Sequence, residues 1–378
     1  MGPSIEAVRD ARERSEFLKV PYRLYGKKHP LYVYPLLGQQ KAFLDPEKNP
    51  FFRHADAQLW VARQGAMPVG RIAAAVDRSS NEYHGEQVGY FGFYEAPGDA
   101  EVATGLLETA RAWIAGQGMT TMRGPGCFTT NHDALGLLVE GHRNRPAIGM
   151  PWQPPYYQEQ LESFGLQKAQ DLLAWQFHAA GGQPPARMAR FARRIGDRQE
   201  FTVRPFRMDR FSEEVEIVRG LYYDAWKDNW GFVPMDAEEF HHAAKDMKSM
   251  VDPGFLLIAE AGSEPGGEPI GFSMTTPDFN QALFSLKGSL LPFGWLRFLL
   301  GKRRIRSART LLMGVKPQYR RQGVDVMLVH ETIRYAATRG IHTGECSWVL
   351  ADNELMNRTL EKSGATRKNV YRIYERAV

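Results

Sequence analysis

At 378 residues the chain is long for one ordinary domain and long enough to bury two cores. Hydrophobic content of 43% and charged content of 24% are those of a soluble globular protein, and no apolar run approaches the about 18–20 residues of a membrane span. Two cysteines, Cys127 and Cys346, exclude a disulfide framework and fit a reducing cytoplasm with no secretory leader; the net charge of +5 points to anionic partners.

Pro68-Val69-Gly70 leads a strand ending at Asp77, and a short excursion, Arg78 to Gln87, follows. Next comes an acidic loop, Tyr94-Glu95-Ala96-Pro97-Gly98-Asp99-Ala100-Glu101, which would repel a phosphate rather than cradle it. The polar loop Arg123 to Asp133 reads either as a turn with Asn131 and Asp133 capping a helix or as a wall facing a cleft. Ala179-Ala180-Gly181-Gly182-Gln183-Pro184-Pro185 is a linker. The basic helix Arg187–Arg198 after it carries Met188, Phe191 and Ile195 on one stripe.

The second half repeats the first. Pro269-Ile270-Gly271 matches Pro68-Val69-Gly70, and Leu360-Glu361-Lys362-Ser363-Gly364-Ala365 matches Leu161-Glu162-Ser163-Phe164-Gly165-Leu166, both at an offset of about 200 residues. The expected division is 1–178, a linker and basic helix at 179–199, and 200–378. Where the first half has its short excursion, the second has Phe279 to Ser307. There an apolar run with Phe293 and Trp295 precedes Lys302, Arg303, Arg304 and Arg306, a pattern suited to an anionic membrane interface or to a surface hairpin.

A strand ending at Val315 meets a basic turn, Lys316-Pro317-Gln318-Tyr319-Arg320-Arg321-Gln322-Gly323-Val324-Asp325, and a helix follows to Arg339. Such a junction aims backbone N–H groups and the positive end of a helix dipole at one spot, where a phosphate fits. Gly340 stops the helix, Gly344 to Leu350 is a strand, Asn353 starts a short helix, and Val370 to Tyr374 alternates as a closing strand.

This order, and the Arg320-x-x-Gly323-x-Asp325 turn, resembles the second half of the GCN5-related N-acetyltransferase superfamily, whose loop reads Arg/Gln-x-x-Gly-x-Gly/Ala. Asp325 departs from that pattern. The resemblance implies an α/β (α+β) chain of two tandem domains, each a mixed, largely antiparallel sheet flanked by helices, the first of them degenerate. It implies coenzyme A, as acyl-CoA substrate, held by Met313, Gly314, Val315, Arg320, Arg321, Gln322, Gly323, Val324, Asp325, Val326 and Asn353, with no metal.

Acylation of an amine needs an oxyanion donor, a base and an acid for the thiolate. In such a fold a backbone N–H between Met313 and Val315 would serve the oxyanion. Glu345 is the candidate base, although the same residue reads as a strand-edge charge. The Tyr that the family places seven residues after the Asn353 position is Leu360 here, so Tyr371, Tyr374 or water would replace it. Cys346 has apolar neighbours and no basic partner, which reads as packing rather than a nucleophile.

The segment Leu221–Pro234 falls where this fold covers the acceptor. Tyr222, Trp226, Asn229 and Trp230 there, with Phe293 and Trp295 of the insertion, form the expected substrate-binding set, or else ordinary core. The tandem layout also resembles a group of bacterial proteins that includes the bacterial ceramide synthases, which acylate a sphingoid amine. The expected activity is therefore N-acylation of a primary, long-chain lipid amine by acyl-CoA, in the cytoplasm or peripherally on the inner membrane, with nucleic acid not expected as a partner. Acetylation of a small amine, aminoacyl-tRNA-dependent transfer and non-catalytic acyl-CoA sensing fit the same residues.

Overall fold

The computed structural model describes residues 2–26, 29–128, 134–198, 200–248 and 251–378. Residues 129–133 of the expected polar loop, from Thr129 to Asp133, lie outside that set. In chain order the first elements are β1 (Ser4–Ala7), α1 (Ala11–Leu24), α2 (Leu37–Phe43), β2 (Ala55–Gln64), β3 (Met67–Asp77), α3 (Arg78–His84) and β4 (Val88–Glu95). Then come α4 (Ala100–Gly116), β5 (Thr121–Gly124), β6 (Leu137–Glu140), α5 (Tyr156–Ser163), β7 (Gln167–His178) and α6 (Ala186–Gly196). The second half holds β8 (Phe201–Pro205), α7 (Phe211–Trp226), α8 (Ala237–Met247), β9 (Leu256–Ala261), β10 (Pro269–Pro277), α9 (Asn280–Leu283) and α10 (Gly294–Lys302). The chain ends with β11 (Ser307–Val315), α11 (Val324–Thr338), β12 (Thr343–Leu350), α12 (Glu354–Lys362) and β13 (Thr366–Ala377).

These elements make two compact units. The first holds Met1–Leu172, Asn280–Arg303 and Asn369–Val378; the second holds Leu173–Phe279 and Arg304–Lys368. The units are thus not contiguous in sequence, as a cut at 178–200 would have them: the insertion and the last strand join the first half.

Both units repeat one design. In the first, β2, β3 and β4 pair antiparallel, and β4 then pairs with β5 in parallel. In the second, β9, β10 and β11 pair antiparallel, and β11 pairs with β12 in parallel. Each unit bulges on the strand before its parallel pairing. In β4 the register slips opposite Arg71–Ala73, where Phe93 adopts a φ of 50°. In β11 it slips at Leu311, between the pairings Thr275↔Thr310 and Met274↔Leu312.

In the first unit β3 is buried almost throughout, which its small apolar run Ile72-Ala73-Ala74-Ala75-Val76 permits. β13 completes this unit's sheet, pairing Tyr374 with Gly124 and Tyr371 with Leu138. The insertion, expected as an apolar run or a hairpin, forms the helices α9 and α10. It is fixed in the same unit: Asn280 donates to the carbonyls of Pro146 and Ala147, and Leu37 N–H to that of Gly288. In the second unit the buried Arg204 on β8 ties α7 to β9, reaching Glu214 at 2.6 Å and Glu260 at 2.7 Å.

Candidate active site

The site of the second unit starts where two strands part. β11 and β12 pair only from Ser307↔Thr343 to Thr310↔Cys346; from Leu311 to Val315 no pairing to β12 continues. The bulge at Leu311 turns the strand there, and Leu311, Leu312 and Met313 are half-buried rather than closed in. Gly314 is needed for a close approach: a Cβ on it would collide with Ala225 and with the Trp226 ring at the end of α7. Trp226 stacks on Tyr222, with ring centroids 5.1 Å apart, and tilts against Phe272 at 5.7 Å. Tyr222 and Trp226 are therefore brought to β11. Asn229 donates its backbone N–H to the Trp226 carbonyl, and Trp230 is half-buried in the turn that follows.

After β11 the chain makes the basic turn. Arg320 does not extend outward: its Nε donates to the Val315 carbonyl and its Nη2 to that of Ala225, tying the loop to β11 and α7. Gln322 closes the turn by donating to the Gln318 carbonyl. Arg321 is exposed at a φ of 65°, and Gly323 caps α11 at a φ of 90°, contributing no side chain to the amides behind it. Burial pushes the Asp325 carboxyl up, against the lowering effect of the backbone N–H groups of Asp325 and Val326 that it faces. Val324 is buried beneath the turn with Leu328.

The matching place in the first unit is closed. Gly92 rests on the Gly126 carbonyl, and Gly126 N–H donates to Phe91 at 2.9 Å, so loop 124–126 fills the gap beside β4. Asp99 caps α4, accepting the N–H groups of Glu101 and Val102. The buried Glu95 accepts hydrogen bonds from Tyr25 and Tyr157 and faces Arg71; desolvation pushes its carboxyl up. An anion meets amides capped by Asp99 there; at Gly323 the N-cap residue offers no side-chain cap, and the carboxyl that faces the amides is that of Asp325.

Glu345 lies on β12, 2% exposed by side chain. Ser347 donates to its Oε1 at 2.9 Å, Lys368 to its Oε2 at 2.8 Å, and Arg309 Nε to the Ser347 hydroxyl at 2.9 Å. Arg309, Ser347 and Lys368 were not singled out by the sequence. The parallel register that sets Arg309 beside Glu345 is a tertiary fact; the sequence signal is one arginine inside the strand Ser307–Val315. Cys346 next to it packs beside Thr310, and burial pushes its thiol up to about 12, which makes it an inert filler.

Asn353 caps α12, its side chain accepting from Met356 N–H at 3.2 Å. Tyr371 and Tyr374 belong to the first unit. Both are fully buried; Asn369 donates to the Tyr371 hydroxyl, and Tyr374 donates to Glu162. Phe293 and Trp295 also belong to the first unit, exposed at the start of α10. No helix among the described residues is long and apolar enough to cross a membrane.

A bulged strand with a parallel partner, present in both units, and in the second a partner that diverges and a glycine-turned helix start, make the GCN5-related N-acetyltransferase fold. Solved structures agree. A tandem GNAT protein from the clavulanic acid biosynthesis pathway superposes with a TM-score of 0.59 at 14% identity, covering 99% of this chain and 98% of that one. A GCN5-related N-acetyltransferase from Sphaerobacter thermophilus gives 0.55 at 12% identity, over 99% and 95%. No protein-family profile matches the chain. In sequence it is 34% identical over 382 residues to the bacterial ceramide synthase of Caulobacter vibrioides (strain NA1000 / CB15N), covering 99% of this chain and 97% of that protein. It is 35% identical over 368 residues to Protein YghO of Escherichia coli (strain K12), over 96% and 92%. The chain belongs to the family of that ceramide synthase and is an acyltransferase.

Proposed function

We propose that the chain transfers a long acyl group from acyl-CoA to the primary amine of a sphingoid-type lipid, giving a ceramide-like amide. The observation that carries the reading is the contrast between the two units: among the described residues only the second combines a β11 stretch that has left its parallel partner with a helix start whose N-cap residue is a glycine. The thioester lies along β11 from Leu311 to Val315, and the coenzyme A pyrophosphate meets the amides after Gly323. A β11 backbone N–H stabilises the oxyanion.

Glu345 takes the amine's proton through the Ser347 hydroxyl, which already donates to it. Arg309 and Lys368 hold that pair in place. Water, rather than Tyr371 or Tyr374, protonates the leaving thiolate, because both hydroxyls are engaged inside the first unit.

The lipid acceptor is supported by the name of the Caulobacter relative and by α10. Leu291, Phe293, Trp295, Leu296, Leu299 and Leu300 are 46–79% exposed, and Arg297, Lys302, Arg303 and Arg304 stand among and after them. Such a surface suits an anionic bilayer that presents lipid amines.

The test is turnover of palmitoyl-CoA and acetyl-CoA by the purified protein, with a long-chain amino alcohol, a long-chain amino ketone and a short polyamine, read by mass spectrometry. The reading expects the long-chain amide alone to accumulate. Equal or better acetylation of the polyamine overturns it.

A further inference from the structure

Helix α6 stands outside the repeated strand design yet packs on its phosphate turn. Gly182, just before α6, abuts Ala337 near the end of α11; a Cβ there would sit 3.2 Å from the Ala337 methyl. At the other end of α6, Ile195 lies so close to Gly323 that a Cβ on the glycine would collide with it, and Phe191 would be 3.5 Å away. The two helices are therefore antiparallel, and the end of α6 flanks the start of α11. Met188, Ala192 and Ile195 form its buried stripe, with Ile195 packed on Val324 and Leu328.

That packing fixes where the arginines stand. Arg194 follows Phe191 by three residues on α6, and Arg198, in the turn just after the helix, donates its backbone N–H to the Ile195 carbonyl, so both stand at the end of α6 that borders the Gly323 turn. Arg187, four residues before Phe191, continues the row toward the far end. All three are exposed, and among the described residues no carboxylate pairs with them.

On α4, α7, α11 and α12 an arginine is neutralised by a carboxylate three or four residues before it. Arg111 pairs with Glu108, Arg219 with Glu216, Arg334 with Glu331 and Arg358 with Glu354. From Ala186 to Gly196 there is no acidic residue at all. The row thus keeps its charge beside a turn that carries a carboxylate of its own, Asp325, against an incoming polyanion.

We infer that Arg194 and Arg198 bind the 3′-phosphate of the coenzyme A donor, with Arg187 extending the same surface. A pyrophosphate at the Gly323 turn leaves the adenosine 3′-phosphate as the remaining anionic group of the molecule. Guanidinium groups match a phosphate monoester in geometry as well as in charge. The row offsets Asp325 and makes the donor site selective for the 3′-phosphorylated carrier. This inference rests on the acyl-CoA reading above.

The test is calorimetric titration of coenzyme A and of 3′-dephospho-coenzyme A into the wild type and into an Arg194→Gln/Arg198→Gln variant. Both positions are exposed, so the variant folds, which its melting temperature checks. The wild type should prefer coenzyme A by about tenfold or more, the effect of one or two charge-assisted contacts. In the variant that preference should fall below about threefold, with the affinity for the dephospho form retained. An Arg194→Lys/Arg198→Lys variant should recover part of it.

Equal affinities in the wild type overturn the inference while leaving the acyl-CoA reading intact, as does a preference that survives the double substitution. Loss of anionic liposome binding in the variant, with no change in coenzyme A preference, would assign α6 to the lipid surface instead. A wild type that binds neither form overturns the acyl-CoA reading itself, and this inference with it.

Discussion

Lys368 Nζ lies 2.8 Å from Glu345 Oε2, on a carboxylate whose other oxygen accepts from Ser347 at 2.9 Å. The two residues are 23 apart in sequence, and burial of the carboxylate gives the pair its structural weight. A carboxylate held this way keeps one orientation, which suits a group that receives a proton through a fixed hydroxyl.

Glu345→Gln tests that role. A lipid amine is mostly protonated at neutral pH, so loss of the acceptor should lower kcat by about a hundredfold or more, with partial recovery as pH rises and free amine accumulates. Ser347→Ala should lower kcat in the same sense while leaving the acyl-CoA KM within about twofold, since it removes the relay and not the donor site. A pH–rate profile unaltered by Glu345→Gln would remove Glu345 from the proton path.

The basic turn from Lys316 to Gly323 makes a second prediction. Arg320→Ala frees the loop from the Val315 and Ala225 carbonyls, and Gly323→Val forces a branched residue into a φ of 90° against Ile195. Each should weaken acyl-CoA binding about tenfold or more, measured by calorimetry. Gly98→Val is the control: nothing lies within 4 Å of a Cβ there, and the neighbouring α4 amides are already capped by Asp99. Its affinity for acyl-CoA should equal that of the wild type.

For α10 the prediction is a surface effect without a folding effect. Leu296→Glu/Leu299→Glu replaces two exposed side chains, so the melting temperature should move little. Sedimentation with anionic liposomes at low salt should fall to the level seen with neutral liposomes, because apolar insertion is lost and negative charge is added. Undiminished sedimentation would take α10 out of any membrane contact.

Cys346 should be silent. Burial pushes its thiol up to about 12, so the reactive thiolate is scarce at pH 8. Alkylation of Cys346 by iodoacetamide in the native protein at pH 8 should be far slower than in the denatured chain, as peptide mass spectrometry would show. Comparable native and denatured rates would show that the half-buried thiol is not shielded.

What the sequence determined by itself is the local grammar of the fold. The turn from Lys316 to Gly323, the Asn353 cap, the Gly340 stop and the repeat of Pro68-Val69-Gly70 as Pro269-Ile270-Gly271 are legible because each depends on residues a few positions apart. Helix starts, glycine turns and strand alternation answer to backbone sterics and capping, which act over one or two turns. The GCN5-related order of strand, turn and helix followed from these signals.

Tertiary structure alone decided which residues meet. No local pattern sets Arg309 beside Ser347 and Glu345, seats Ile195 on Gly323, or pairs Tyr374 with Gly124. The apolar insertion was visible, but its fold into α9 and α10 was not, because an apolar run reads alike as buried core or exposed helix until its partners are known. Division of the chain escaped the sequence for a similar reason. A linker marks where the chain bends, whereas hydrogen bonding along β13 and packing of α9 decide which compact unit a segment joins.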